Sequence, residues 1–135
     1  MDFKTLESQP LHTQVPLAEL LAKVKWNRDG LIPAIAQQHD TGEVLMLAWM
    51  NDQALRETLS TGRVCYWSRS RQSYWRKGES SGNQQRLVGA YLDCDGDALL
   101  IKVDQTGPAC HTLRHNCFYI ELSSQHGEII STPME

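Results

Sequence analysis

Apolar and polar positions change rhythm several times along this chain, and each change predicts an element. Residues 1–15 have no clear period and are expected to form a loose lead-in. Over 16–24, Leu17, Leu20, Leu21 and Val24 recur at helical spacing behind Pro16, which predicts a short helix. Asp29-Gly30 is a turn signal. The apolar runs 31–38 and 43–49, joined by His39-Asp40-Thr41-Gly42, predict a β-hairpin. Asn51 has the chemistry of a helix N-cap, with a helix expected to about Leu59 and Gly62 placed to end it. Val64-Cys65-Tyr66-Trp67 is β-prone. The basic, Ser- and Gly-rich stretch 68–83 is longer than most connections and is expected to be a functional loop. Runs 87–94 and 98–103 predict strands around an Asp95-Gly96-Asp97 turn, and 117–122 a last strand before a polar tail. The expected class is α+β, a mostly antiparallel sheet with a few short helices in a single domain over 1–135, whose ends 1–15 and 124–135 are loose.

Composition narrows the setting. The longest uncharged apolar stretch, 44–50, has seven residues, against the roughly 20 that a membrane-spanning helix needs. Met1-Asp2-Phe3-Lys4 opens into polar sequence, unlike a secretory signal. The expected compartment is therefore the cytoplasm, with no membrane partner. Four cysteines in such a place point to metal binding or catalysis before disulfides. The net charge of −3 conceals an asymmetry, because Arg63, Arg69, Arg71, Arg76, Lys77 and Arg86 face only Glu79 within 63–86. That segment carries +5 and the remainder −8. A compact anionic ligand held beside a carboxylate-rich metal site suits this pattern, and nucleic-acid binding, which needs a broader basic face, does not.

Three segments carry candidate chemistry. In Asp93-Cys94-Asp95-Gly96-Asp97, an extended backbone would point Asp93 and Asp95 one way and Cys94 the other, with Asp97 joining the carboxylates if the extension persists. Hard oxygens so gathered favour Mg²⁺ or Ca²⁺, whereas the soft Cys94 thiolate would serve a separate metal. A solvated Asp-Gly turn after a buried cysteine is the competing reading. An EF-hand is set aside, since Ala98 and Asp104 stand where that loop needs Gly and Glu.

The second segment is Cys110-His111-Thr112 with Cys117. Together with Cys94 the spacing is C-x15-C-x6-C, without the paired C-x2-C knuckles of zinc ribbons. Three thiolates leave a tetrahedral zinc one open position, which a catalytic zinc uses to bind and acidify water; separate buried thiols are the alternative. Cys65, inside an apolar run, reads as core. His111 is either a proton shuttle or a histidine that orients a ligand by hydrogen bonding, and His115 reads as structural or solvent-facing.

The third comprises Trp67-Ser68-Arg69-Ser70-Arg71 and Trp75-Arg76-Lys77-Gly78-Glu79-Ser80-Ser81-Gly82-Asn83. Forked arginine donors, hydroxyls and a tryptophan face, repeated twice within so short a span, favour a phosphorylated nucleotide over a merely solvated loop.

Taken in order with Asp29-Gly30-Leu31-Ile32-Pro33-Ala34-Ile35 and Gly42-Glu43-Val44-Leu45-Met46-Leu47-Ala48-Trp49-Met50-Asn51, these motifs resemble the phosphoribosyl-AMP cyclohydrolase family. The resemblance implies a hydrolase of histidine biosynthesis that opens the adenine ring of phosphoribosyl-AMP at the C6–N1 bond. It implies Zn²⁺ on Cys94, Cys110 and Cys117, shared between the subunits of a homodimer, and Mg²⁺ on Asp93, Asp95 and Asp97. His111 is the candidate proton donor, and the expected substrate contacts are Trp67, Ser68, Arg69, Ser70, Arg71, Trp75, Arg76, Lys77, Ser80, Ser81 and Gly82. The family usually has glycine after Cys-His-Thr, where this chain has Leu113, so the loop between Cys110 and Cys117 is expected to turn differently. Two rival functions share parts of this pattern. A zinc nucleobase deaminase wants H-x-E followed by P-C-x-x-C, a succession this chain lacks. A non-catalytic structural-zinc module would need a fourth protein ligand.

Overall fold

The computed structural model describes residues 1–134. Its elements are α1 (Phe3–Leu6), α2 (Leu17–Leu21), β1 (Ile32–Gln38), β2 (Val44–Met50), α3 (Asp52–Thr61), β3 (Cys65–Ser68), β4 (Ser73–Arg76), β5 (Gln85–Leu92), β6 (Leu99–Gln105), β7 (Ile120–Leu122) and β8 (Gly127–Ile129). Six strands form one sheet in the order β4-β3-β2-β1-β6-β5, and β7 and β8 form a second, two-stranded sheet. The expected α+β class and mostly antiparallel sheet are found. A single pair, β1 with β6, is parallel.

The core follows from the strand period. Ile32, Ala34 and Ala36 share one face of β1, opposite Met50, Ala48 and Met46 of β2 and alongside Leu99 and Ile101 of β6. Ile32, Ala34, Ala36, Met50 and Ile101 have no exposed surface. Burying a large apolar side chain of this kind contributes roughly 1.5–3 kcal/mol. Helix α3 packs over β2, β3 and β5. Its ends match the expectation: Asn51 Oδ1 accepts the Ala54 N–H at 2.8 Å, and Gly62 closes the helix at φ 76°, where a side chain would be strained. The fully buried Thr58 donates to the Ala54 carbonyl and accepts the Cys65 N–H at 3.0 Å, tying α3 to β3.

Four expectations need correction. The stretch 68–83 is not all loop, because Ser73–Arg76 forms β4, which pairs with β3 and leaves a short turn at 69–72. The β-prone pair Tyr74-Trp75 outweighs its polar flanks. The final strand is only Ile120–Leu122, and Gly127–Ile129 of the tail pairs with it as β8. The lead-in holds one short helix, α1, which Asp2 caps by accepting the Thr5 N–H at 2.8 Å. The helix expected over 16–24 shrinks to Leu17–Leu21, with Pro16 at the cap.

Candidate functional site

The acidic motif does not stay extended. Asp93 Oδ1 accepts the N–H groups of Asp97 at 3.0 Å and Ala98 at 3.3 Å, curling 93–98 into a turn. The turn gathers Asp93, Asp95 and Asp97 by a different route from the predicted alternation, with carboxylate oxygens within 4.8 Å of one another and all three residues exposed. None of the three forms an ion pair among the described residues. The neighbouring Asp93 and Asp95 carboxylates push the Asp97 carboxyl up to about 6. Crowded, uncompensated carboxylates of this kind fit a hard divalent cation.

The thiols divide. Cys110 and Cys117 line one cleft of about 520 Å³ together with His111, Lys77, Trp75 and Met46. Cys94 is exposed and borders a separate groove with Phe3, Leu6, Leu20 and Leu92. The three sulfurs therefore do not converge within one chain, and the fit to zinc is partial: a single copy offers two adjacent thiols. Burial pushes the Cys110 thiol up, but hydrogen bonds from Thr112 and Cys117 outweigh it and hold the group below its ordinary value. Thr112 Oγ1 lies 3.0 Å from Cys110 Sγ. Burial, with Cys110 alongside, pushes Cys117 up to about 11. Cys65 is buried in the core, its thiol pushed up to about 12 by burial and by Glu57.

The loop carrying the two thiols is anchored on both sides. Cys117 N–H donates to the Leu45 carbonyl at 2.8 Å, and Leu113 N–H donates to the Cys110 carbonyl at 3.0 Å. His115 Nδ1 and Asn116 Nδ2 both lie 2.7 Å from the Glu43 carboxylate, so His115 serves the loop and not the cleft. Leu113 adopts φ 68°, the left-handed conformation that glycine takes without strain. Leu113 thus holds a backbone conformation that suits the glycine usual at this position. The His111 side chain is exposed at the cleft and makes no hydrogen bond among the described residues.

Lys77 is half-buried beside the thiols. Its ammonium donates to the Ala109 carbonyl at 2.8 Å and stands 5.5 Å from the Trp75 ring centroid. Burial pulls it below its ordinary value, against the opposing pull of Cys117 and Cys110. Ser80 and Ser81 line the same cleft, whereas Gly82 does not. Arg76 reaches the rim, but both of its forks are committed to Glu57, at 2.9 and 2.8 Å. Beneath the cleft, the buried Tyr66 hydroxyl donates to Gln85 Oε1 at 2.6 Å, and Gln85 Nε2 points at Met46 Sδ.

A second cleft of about 690 Å³ opens beside the first and shares Arg71 and Trp75 with it. Its walls are Trp49, Trp67 and the turn holding Ser68, Arg69, Ser70 and Arg71. Trp67 lies opposite Trp49 and Tyr74 and Trp75 opposite Tyr66, so the two face opposite sides of the sheet, and Trp75, on the edge strand β4, borders both clefts. The Arg69 guanidinium carbon stands 4.7 Å above the Trp49 ring centroid. Arg69 and Arg71 have no carboxylate partner among the described residues, unlike Arg56, Arg76 and Arg86. Trp49 went unrecognised in the sequence. Strand alternation with Leu47 was the available signal, but its pairing with Trp67 requires the register.

Comparison with known proteins decides the family. The family model described as phosphoribosyl-AMP cyclohydrolase matches residues 46–119. A protein named phosphoribosyl-AMP cyclohydrolase from Alkalilimnicola ehrlichii is 63% identical over 97% of this chain and 92% of its own length. This chain belongs to the phosphoribosyl-AMP cyclohydrolase family. Phosphoribosyl-AMP cyclohydrolase 2 of Pseudomonas fluorescens is 62% identical over 96% of this chain and 88% of its own. The Chromohalobacter salexigens phosphoribosyl-AMP cyclohydrolase is 61% identical over 98% and 90%. All three alignments run well beyond the matched core of the cyclohydrolase family, into the segments that hold α1, α2 and β1.

Proposed function

We propose that this cyclohydrolase opens the adenine ring of phosphoribosyl-AMP in the cleft where Cys110, Cys117, His111 and Lys77 meet, a hydrolytic step of histidine biosynthesis. The observation that carries this reading is that convergence. A ribosyl group on N1 polarises the ring and leaves C6 electrophilic. The oxygen of water adds to C6, the C6–N1 electron pair passes to N1, and N1 takes up a proton. C6 keeps its amino group and becomes a carboxamide carbon, so ring opening replaces deamination. His111, free of other partners at the cleft edge, is the proton carrier to N1.

Cys110 and Cys117 would hold zinc together with Cys94 from a second copy of the chain. Zinc, when bound, supplies the Lewis acidity that makes water a nucleophile near neutral pH. A homodimer is supported by the isolation of Cys94 from the other two thiols. It is also supported by the bare apolar faces of β7 and β8, where Ile120, Leu122 and Ile129 are 57%, 79% and 64% exposed. A two-stranded sheet of this kind needs a further surface to cover it. Asp93, Asp95 and Asp97 would hold Mg²⁺.

The substrate carries a phosphate at each end. The cleft of Trp49, Trp67, Arg69 and Arg71 takes one phosphoribosyl arm on its uncommitted guanidiniums, and Lys77 with Ser80 and Ser81 receives the other. Arg76, neutralised by Glu57, shapes the rim. Four free cysteines suit the reducing cytoplasm, and no helix among the described residues is long and apolar enough to cross a membrane. The test is an assay of the purified protein on phosphoribosyl-AMP, following the ultraviolet change on ring opening. Turnover should disappear with chelator and return with Zn²⁺ and Mg²⁺. Intact substrate after incubation with fully metal-loaded protein would overturn the assignment.

A further inference from the structure

Gly96 is the one buried residue in an otherwise exposed turn, since Asp93, Cys94, Asp95 and Asp97 all face solvent. What covers it is the ring of Phe3, seated so closely that a Cβ at Gly96 would overlap three of its atoms. From the other side, the Gly96 carbonyl accepts the Lys25 N–H at 2.8 Å. We infer that the amino-terminal helix α1 is a strap that sets the shape of the acidic turn, and that Phe3 is the positioning residue through which it acts.

The strap is built for the purpose. Phe3 and Leu6 are the only partly buried residues of the first ten, and their spacing places them on one face of α1. That face borders the groove of Leu20, Leu92 and Cys94. Asp2 caps the helix by accepting the Thr5 N–H, so α1 is fixed at its start as well as by its apolar face. Gly96 adopts φ 73° and lacks a side chain, so the turn can hold this conformation and admit an aromatic ring against its backbone. With Gly96 pinned between Phe3 and Lys25, the amides of Asp97 and Ala98 are presented to Asp93 Oδ1, which brings the three carboxylates to a common point. The matched family core begins at Met46, so this support comes from outside it.

The inference rests on the magnesium reading only for its metal arm. The experiment compares full-length wild-type protein with Phe3→Ala and Phe3→Leu. Hydrogen exchange is followed at the Asp97 and Ala98 amides without metal, and MgCl₂ is titrated calorimetrically. Phe3→Ala should lose about 10-fold protection at those two amides while exchange in β1 is unchanged. Its Kd for Mg²⁺ should rise about 10-fold, the low end for losing a group that supports a metal's ligands. Phe3→Leu, which keeps an apolar cover, should recover most of both. Wild-type exchange at the two amides in Phe3→Ala would overturn the proposal. So would a loss of protection spread equally over β1, because Phe3 would then stabilise the fold at large. If the wild type bound no Mg²⁺ but the exchange pattern appeared as expected, the metal reading would fail and the strap would stand.

Discussion

The acidic turn and the thiol cleft are built in opposite ways. Three carboxylates that meet within five residues need only one backbone turn to assemble, and a single chain completes the set. The thiols sit in two separate loops, Cys94 after β5 and Cys110 with Cys117 after β6, and a single chain brings only Cys110 and Cys117 together. A local constellation is fixed by hydrogen bonds to its own backbone. A distributed one depends on tertiary contacts, here Cys117 N–H on Leu45 and Glu43 on His115 and Asn116, and in the function proposed above also on a second copy. Damage at the two places should therefore differ in size and reach.

The largest effect is expected at the cleft. Cys117→Ala should lower turnover by more than the roughly 100-fold that follows loss of a group merely supporting a metal ligand, and zinc measured by atomic absorption should fall with it. Full activity at normal zinc content would remove Cys117 from the ligand set. At the turn, Asp95→Asn should weaken Mg²⁺ binding by about 10-fold or more, while zinc content stays at the wild-type level. Zinc loss in that variant would mean the two sites are not separable.

How much of this contrast was legible in the sequence follows the same division. The Asp93-Cys94-Asp95-Gly96-Asp97 pentapeptide announces its own clustering, although a turn and not strand alternation achieves it. The cap at Asn51, the stop at Gly62 and the hairpin of β1 and β2 were readable because each is decided by neighbouring residues. Trp49 opposite Trp67, Arg76 committed to Glu57 and Phe3 on Gly96 were not, because they join residues 18, 19 and 93 positions apart. No local pattern encodes those partners. Strand β4 was hidden for a different reason: its four residues are flanked by the turn chemistry of 68–72 and 77–82, which dominated the reading.

A gentler probe of the turn is pH. Without metal, the Asp93 and Asp95 carboxylates push Asp97 up to about 6 from its ordinary value of 3.8. A carboxyl raised on folding contributes stability that is present below pH 3.8 and lost as pH rises through about 6. Thermal melts without metal should therefore show wild type losing stability relative to Asp97→Asn between pH 4 and about 7. Mg²⁺ should bind more tightly as pH rises across the same window, and a pH-independent difference between the two proteins would contradict the crowding.

The smallest effect belongs to Leu113, on the cleft side. Its left-handed backbone costs about 1–2 kcal/mol, and a glycine there gives back about 0.4–1 kcal/mol through the freer unfolded chain. Leu113→Gly should raise stability by roughly 0.5 kcal/mol, a shift of about 2 °C in Tm, with zinc content unchanged. A fall in Tm would show that the exposed leucine makes contacts worth more than its strain.

The central claim is that two copies of the chain complete one thiol set, and mixing two inactive variants tests it most directly. Cys94→Ala and Cys110→Ala, each inactive alone, should regain about a quarter of wild-type activity when co-refolded in equal amounts, because half the dimers are mixed and each mixed dimer holds one intact site of two. Recovery of no activity from a mixture shown by native mass spectrometry to contain mixed dimers would contradict the account.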